Sequence, residues 1–188
     1  MESLPKRMPD ISEVVVSRDR IGRRVAELAA EVSGAFGGGE VTIVAVLDGA
    51  LVFLADLMRH LTMPIRLLTV RARRYHGAAT TPGALRFDPE LPVRLAGRRV
   101  LVVDDIRDTG GTLAAVVEQV RSHGPACCRT CVLLRKDLPG PRAAEVPLDF
   151  VGFDVPDVFV VGYGLDFDGR YRNLPDVVAL AAAREGRS

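Results

Sequence analysis

Residues 100–113 read VLVVDDIRDTGGTL. The first four, Val100, Leu101, Val102 and Val103, form a short continuous apolar run. That is the pattern of a strand covered on both faces of a parallel sheet. Two adjacent carboxylates, Asp104 and Asp105, follow, and then a turn made of Asp108, Thr109, Gly110, Gly111 and Thr112. From Leu113 onward the apolar residues Leu113, Val116, Val117 and Val120 recur at helical spacing, which predicts a helix.

A strand, a glycine turn and a helix N-terminus together make an anion site. The first helical N–H groups have no partner inside the helix, and the helix dipole favours negative charge there. Glycine lets the backbone close around a phosphate, and the hydroxyls of Thr109 and Thr112 add donors. The stretch lacks the Gly-Lys-Ser/Thr of a Walker loop and the G-x-G-x-x-G of a dinucleotide site. Its distinguishing feature is the acidic pair directly before the turn. Carboxylates repel a bare phosphate, so they make sense gripping sugar hydroxyls or a divalent cation while the turn holds the phosphate. The ligand this suggests is a ribose 5-phosphate unit.

Working outward, the same alternation repeats. Ser17 is placed to cap a helix whose apolar face is Ile21, Val25, Leu28 and Val32, ending before the glycines at 37–39. Residues 41–47 form a second buried-type strand ending in Asp48-Gly49, followed by a helix carrying Leu51, Leu54, Ala55 and Met58. Residues 65–70 form a third strand. Strand, helix and strand in this order imply parallel pairing with right-handed crossovers. Residues 71–84, RARRYHGAATTPGA, interrupt the pattern as a long connection, either a lid or a solvated hairpin turn. Residues 85–93 read as a hairpin arm to the strand before it. Later strands are expected at 127–134, 150–153 and 158–161. The ends of four strands then carry polar residues: Asp48-Gly49, Asp104-Asp105, Arg135-Lys136 and the stretch 162–172. In an open α/β sheet such ends converge on one crevice.

The 188 residues are expected to form one domain over 12–180, with residues 1–11 and 181–188 as loose termini. Hydrophobic content of 48% and charged content of 26% are ordinary for a globular chain. A net charge of +1 gives no electrostatic case for nucleic-acid or membrane partners. No apolar run reaches the span of a bilayer and the N-terminus lacks a leader pattern, so the expected location is cytoplasmic. Cys128-x-x-Cys131, with Cys127 beside it, raises a metal or redox site. With no second ligand pair in the sequence, buried thiols on a strand are the better reading.

The 100–113 stretch resembles the phosphoribosyl-pyrophosphate signature of the type I phosphoribosyltransferases. The match along residues 12–180 is nearest to the 6-oxopurine branch, the hypoxanthine–guanine enzymes. The resemblance implies an α/β fold, a parallel sheet flanked by helices with a small hood subdomain built from the chain termini. It implies transfer of a ribosyl 5-phosphate from phosphoribosyl pyrophosphate to hypoxanthine or guanine, Mg²⁺ dependence, and a homodimer or homotetramer. On this alignment Asp108 is the general base near N7 of the purine, although an aspartate there could equally cap the helix. Asp104, Asp105, Asp108, Thr109, Gly110, Gly111 and Thr112 would hold the ribose and its 5-phosphate. Asp48, Gly49 and Arg172 would face pyrophosphate, and Asp104, Asp105 and Asp166 a metal ion. Phe159 would stack on the purine, Val160 would read its edge through the backbone, and Lys136 would point at the 6-oxo group. Arg74-Tyr75 falls where the family usually has Ser-Tyr in a closing loop.

Two positions depart from the family pattern. Leu47-Asp48-Gly49 stands where Leu-Lys-Gly or Leu-Arg-Gly is usual, so an acid replaces the expected cation beside pyrophosphate. Arg107 stands where an apolar residue is usual. The alternatives are a non-catalytic RNA-binding regulator built on the same fold, which would need a basic face, and an enzyme preferring xanthine or another base.

Overall fold

The computed structural model describes residues 11–74, 85–88, 95–137 and 146–180. In chain order the elements are β1 (Ile11–Val16), α1 (Arg18–Phe36), β2 (Val41–Leu47), α2 (Leu51–His60), β3 (Ile65–Arg74) and β4 (Leu85–Asp88). They continue with β5 (Arg99–Arg107), α3 (Gly111–Ser122), β6 (Cys127–Lys136), β7 (Phe150–Val155), β8 (Val160–Val161) and β9 (Val177–Leu180).

Six strands form the main sheet in the order β4-β3-β2-β5-β6-β7. The five from β3 to β7 in that order run parallel, and β4 joins the edge antiparallel to β3. The apolar runs read from the sequence are the central strands because both sheet faces are covered. Side chains alternate across the sheet: Ile43, Ala45, Leu101 and Val103 pack with α1 and α2, while Val44, Val46, Val100 and Val102 pack with Leu113, Val116, Val117 and Val120 of α3. From β2 the chain passes through α2 to β3 on one side. From β5 it passes through α3 to β6 on the other. The order therefore reverses between β2 and β5, and a crevice opens beyond their carboxyl ends.

A second, three-stranded antiparallel sheet, β1-β9-β8, joins residues near both ends of the chain and is the expected hood. Ile11, expected in a loose terminus, instead pairs with Leu180 in this sheet. Residues 1–10 and 181–188 lie outside the described residues.

Several element edges differ from the sequence expectation, each for an identifiable reason. β5 does not stop at Val103 but runs through Asp104 and Asp105 to Arg107, since β6 continues the ladder to Arg135. The buried face of α2 is Phe53, Leu54 and Leu57, and Leu51 is exposed at its first turn. The acid-to-helix turn is capped by Gly110 in a left-handed conformation (φ 87°), which displaces Asp108 from the cap position. Cys127, Cys128 and Cys131 all lie on β6, the last fully buried and the others partly so. Among the described residues no group of three or more His, Cys, Asp or Glu side chains is placed to hold a metal. No described helix is long and apolar enough to cross a membrane.

Ser17 does occupy the N-cap of α1, yet its hydroxyl makes no capping bond. The Arg18 N–H instead donates to Oδ1 of Asp176, 2.7 Å away and 158 residues on in the chain. Asp176 is buried, so this one carboxylate ties the hood to the first helix. Asp176→Ala is expected to lower unfolding free energy by about 0.5–2 kcal/mol, the usual cost of losing a cap. Ser17→Ala should stay within about 0.5 kcal/mol. Denaturant titration of both variants checks the contrast.

Candidate active site

A cleft of about 330 Å³ lies at the carboxyl ends of β2 and β5. It is lined by Val46, Leu47 and Gly49 from β2 and its turn, and by Asp104, Asp105 and Ile106 from β5. Asp108, Thr109, Gly110, Gly111, Thr112 and Leu113 complete it. Every residue expected to hold ribose and 5-phosphate is therefore in one cavity of ordinary ligand-site size.

Asp104 is buried, and both acids are held by their own backbone. The Asp105 N–H donates to Asp104 Oδ1 at 3.0 Å, and the Ile106 N–H donates to Asp105 Oδ1 at 2.8 Å. Burial, followed by repulsion from Asp105, pushes the Asp104 carboxyl well above the usual carboxylate range. Burial raises Asp105 as well, against the lowering effects of its hydrogen bonds and of Arg172. The pair thus sets hard oxygen donors out of water, suited to hydroxyls or, once ionised, to a divalent cation. Gly49 leaves it room: a Cβ there would lie 1.8 Å from Asp105 Oδ2. The Leu47–Asp48 peptide before it is cis.

The turn after β8 closes over this crevice. Gly164 (φ 100°) comes so near the Gly49 carbonyl that a Cβ would lie 2.3 Å from that oxygen. The turn is anchored from beneath by Tyr163, whose buried hydroxyl donates to Asp56 Oδ2 on α2 at 2.6 Å. Farther along, Phe167 and Arg170 form a two-residue hairpin around Asp168 and Gly169, both at positive φ. The Asp-Gly pair is the sequence signal for that hairpin. Arg172 pairs with Asp166 at 2.7 Å and donates to the Gly164 carbonyl at 2.6 Å, so it is built into the turn. The Gly169 N–H donates to Asp166 Oδ2 at 2.8 Å. Asp166 and Arg172, expected in separate roles, are partners.

Of the remaining expected residues, Lys136 reaches the cleft lining through Asp108. Lys136, at the end of β6 and largely buried, has its Nζ 3.5 Å from Asp108 and 3.4 Å from Asp157. Asp157 was not singled out in the sequence, since nothing in its spacing relates it to Lys136. Phe159 is exposed and meets Phe167 edge to face, with centroids 5.4 Å apart, so it is not a core residue. Val160 is buried in β8. Arg107 is buried rather than in the turn, and its guanidinium donates to the Lys136 carbonyl at 3.4 Å. Its effect is on the strand end that carries Lys136. Asp48 does not line the cleft; it is exposed at the rim and paired with Arg71 of β3. The backbone of Arg74 closes the β3–β4 hairpin by pairing with Leu85, while Tyr75 and the connection to residue 84 lie outside the described residues.

The fold agrees with the comparisons to known proteins. The family model for the phosphoribosyl transferase domain matches residues 15–168, and the chain belongs to that family. It is 37% identical over 174 residues to the hypoxanthine-guanine phosphoribosyltransferase of Bacillus subtilis, covering 93% of this chain and 96% of that one. It is also 37% identical over 173 residues to the hypoxanthine-guanine-xanthine phosphoribosyltransferase of Tritrichomonas foetus, covering 92% and 93%. Among solved structures, a hypoxanthine-guanine phosphoribosyltransferase from Bacillus anthracis superposes with a TM-score of 0.82 at 35% identity, covering 90% of this chain and 99% of that one.

A buried carboxyl that prefers its proton makes folding less favourable once it is ionised. Over the window from about pH 4, the ordinary carboxylate value, up to its raised value, the folded chain holds a proton that the unfolded chain has lost. Stability therefore falls as pH rises through that window. Asp104→Asn removes the ionisable group at nearly constant shape. Ligand-free, the variant is expected to match the wild type near pH 4 and to exceed it by about 0.5–2 kcal/mol at pH 8. Melting curves across pH check this.

Proposed function

We propose that this chain transfers the ribosyl 5-phosphate of phosphoribosyl pyrophosphate to the 6-oxopurines hypoxanthine and guanine, forming the nucleoside monophosphate and pyrophosphate. One observation carries the reading. A buried acidic pair lies between a helix N-terminal glycine turn and a second turn bearing an arginine, with a lysine–aspartate pair alongside. A sugar with a phosphate on one side, a diphosphate on the other and a base to accept is the ligand that uses all of these. The names of the relatives support the same activity.

The residues divide the work as follows. Backbone N–H groups at 109–112 and the hydroxyls of Thr109 and Thr112 receive the 5-phosphate. Asp104 and Asp105 receive the ribose hydroxyls and are the carboxylates that would hold Mg²⁺ together with substrate oxygens. Asp166, expected to join them, is engaged by Arg172 and the Gly169 N–H and is not gathered with them into a three-acid group. The burial of Asp104 and Asp105, and the repulsion of Asp104 by Asp105, favour a cation there. When bound, Mg²⁺ supplies charge neutralisation for the leaving diphosphate. Gly49 and Arg172 border the diphosphate. Lys136 donates to O6, a bond that the amino group of adenine cannot accept, and Phe159 stacks on the ring. N9 of the base attacks C1 of the ribose as the bond from C1 to the diphosphate oxygen breaks. The N7 proton passes to Asp108, so the nucleotide leaves neutral at the base. Carboxylates around the sugar stabilise the cationic character that develops at C1.

We further propose that one domain over residues 12–180 carries the activity, that the protein works in the cytoplasm, and that it is a homodimer or homotetramer. The resemblance supports these three readings. For the last, the hypoxanthine phosphoribosyl transferase of Trypanosoma cruzi, a structural relative at a TM-score of 0.83 and 30% identity, is one in which the C-terminal region has been connected with oligomeric state.

Steady-state nucleotide formation from hypoxanthine, guanine, xanthine and adenine, each with phosphoribosyl pyrophosphate and Mg²⁺, tests the reading. Turnover is expected with hypoxanthine and guanine and not with adenine. Asp108→Asn should lower kcat by about 10²–10⁴-fold. Phosphoribosyl-pyrophosphate binding without turnover of any base would defeat the enzyme reading, and turnover of xanthine alone would reassign the base. In the same assay Gly49→Ala, which displaces the Asp105 carboxylate, should cost roughly 100-fold in kcat/KM.

A further inference from the structure

Asp48 stands at the rim of the cleft, next to Gly49, where the diphosphate end of the ligand must come. The two ends of the ligand can be told apart. The 108–112 turn lies on one side of the acidic pair. On the other, Gly49 packs against Asp105 and Gly164 packs against Gly49. A ribose held by Asp104 and Asp105 with its 5-phosphate in the first turn therefore presents its second phosphorylated end to Gly49 and Arg172. At that end the structure places, among the described residues, two ion pairs: Asp166 with Arg172, and Asp48 with Arg71.

The two arginines are held differently. Arg172 is engaged by the Asp166 carboxylate and by a main-chain carbonyl within its own turn. Arg71 reaches Asp48 with two nitrogens, at 3.1 Å and 3.0 Å, but both meet the same carboxylate oxygen rather than forming a two-oxygen fork. Both side chains are about half exposed, at 52% and 50%. Such a pair is weak, screened by salt and readily exchanged. A guanidinium has five N–H donors in a planar fork, and a diphosphate offers several oxygens at higher charge than one carboxylate. The position of Arg71 is fixed by sheet register, since β2 and β3 run parallel with Leu47 directly beside Arg71. The strand neighbouring Asp48 thus delivers a cation to the end of the cleft where Asp48 itself brings an acid.

We propose that Arg71 is a diphosphate-binding residue of this enzyme, held at the rim by Asp48 until the diphosphate displaces the carboxylate. The proposal rests on the reading of the cleft as a phosphoribosyl-pyrophosphate site. It gives Asp48 a role consistent with its charge: the acid parks the arginine rather than contacting the phosphates.

Binding to the whole protein measures this directly, by calorimetry with Mg²⁺ present. Three ligands are compared: phosphoribosyl pyrophosphate, inorganic pyrophosphate and a nucleoside 5-monophosphate, which fills the 5-phosphate and base sites only. Arg71→Gln should weaken the first two by about tenfold, the scale of one charge-assisted contact, and leave the monophosphate within about twofold. Arg71→Lys, which keeps the charge and guards against a folding defect, should recover part of the loss. Asp48→Asn should tighten pyrophosphate by a few-fold, because the competing carboxylate is gone. Equal weakening of all three ligands in Arg71→Gln, or no change in any, would overturn the proposal. Wild-type protein that bound none of the three would overturn the reading of the cleft, and with it this role for Arg71.

Discussion

Two carboxylates at the end of β5, packed side by side and mostly out of water, set the terms for the rest of the site. Burial opposes the ionised form of both, and repulsion from Asp105 adds to it at Asp104. They are kept there because β5 is the central strand of a sheet covered on both faces, and its ladder with β6 runs past the acids. The stability for this comes from the apolar layers on either side of the sheet. The acids gain most when a ligand supplies hydroxyls or positive charge. This is the common conflict between a working site and a stable fold.

Around this pair the structure brings turns together rather than enclosing a pocket with side chains. The Gly49 turn makes space for Asp105, the Gly164 turn packs onto the Gly49 carbonyl, and the Gly110 turn opens α3 toward the cleft. A Cβ would strike the Asp105 carboxylate at Gly49 and the Gly49 carbonyl at Gly164, while Gly110 serves its left-handed φ. The last turn of the three to form along the chain is supported from distant elements, through Tyr163 on Asp56 of α2, while Asp176 beside the hood caps α1. The turn that carries Arg172 is therefore held by residues outside the cleft lining.

Much of this was legible because it is local. The apolar run of 100–103, the acids after it and the glycine turn lie within fourteen residues, so spacing alone identifies the chemistry. The helix of Ile21, Val25, Leu28 and Val32 and the strand of residues 41–47 follow from periodicity. The exact ends of β5 and β6 were less legible, because each strand is prolonged by its neighbour's ladder rather than by its own residues. The face of α2 also differs from its periodicity: Leu51 fits the helical period, but it stays exposed while Phe53, Leu54 and Leu57 are buried. Four partners carried no signal at all. Arg71 for Asp48, Asp157 for Lys136, Asp56 for Tyr163 and Asp176 for Arg18 are joined only by the fold.

The sequence by itself determined the class of architecture, the phosphate turn, the acidic pair and the set of residues with chemistry to offer. Those follow from hydrophobic period, from glycine at turns and from donors near in the chain, all of which act over a few residues. Only the tertiary structure decided which charges meet. Opposite charges interact through space over a few ångströms, and sheet register, not chain distance, brought Arg71 to Asp48 and Lys136 to Asp108.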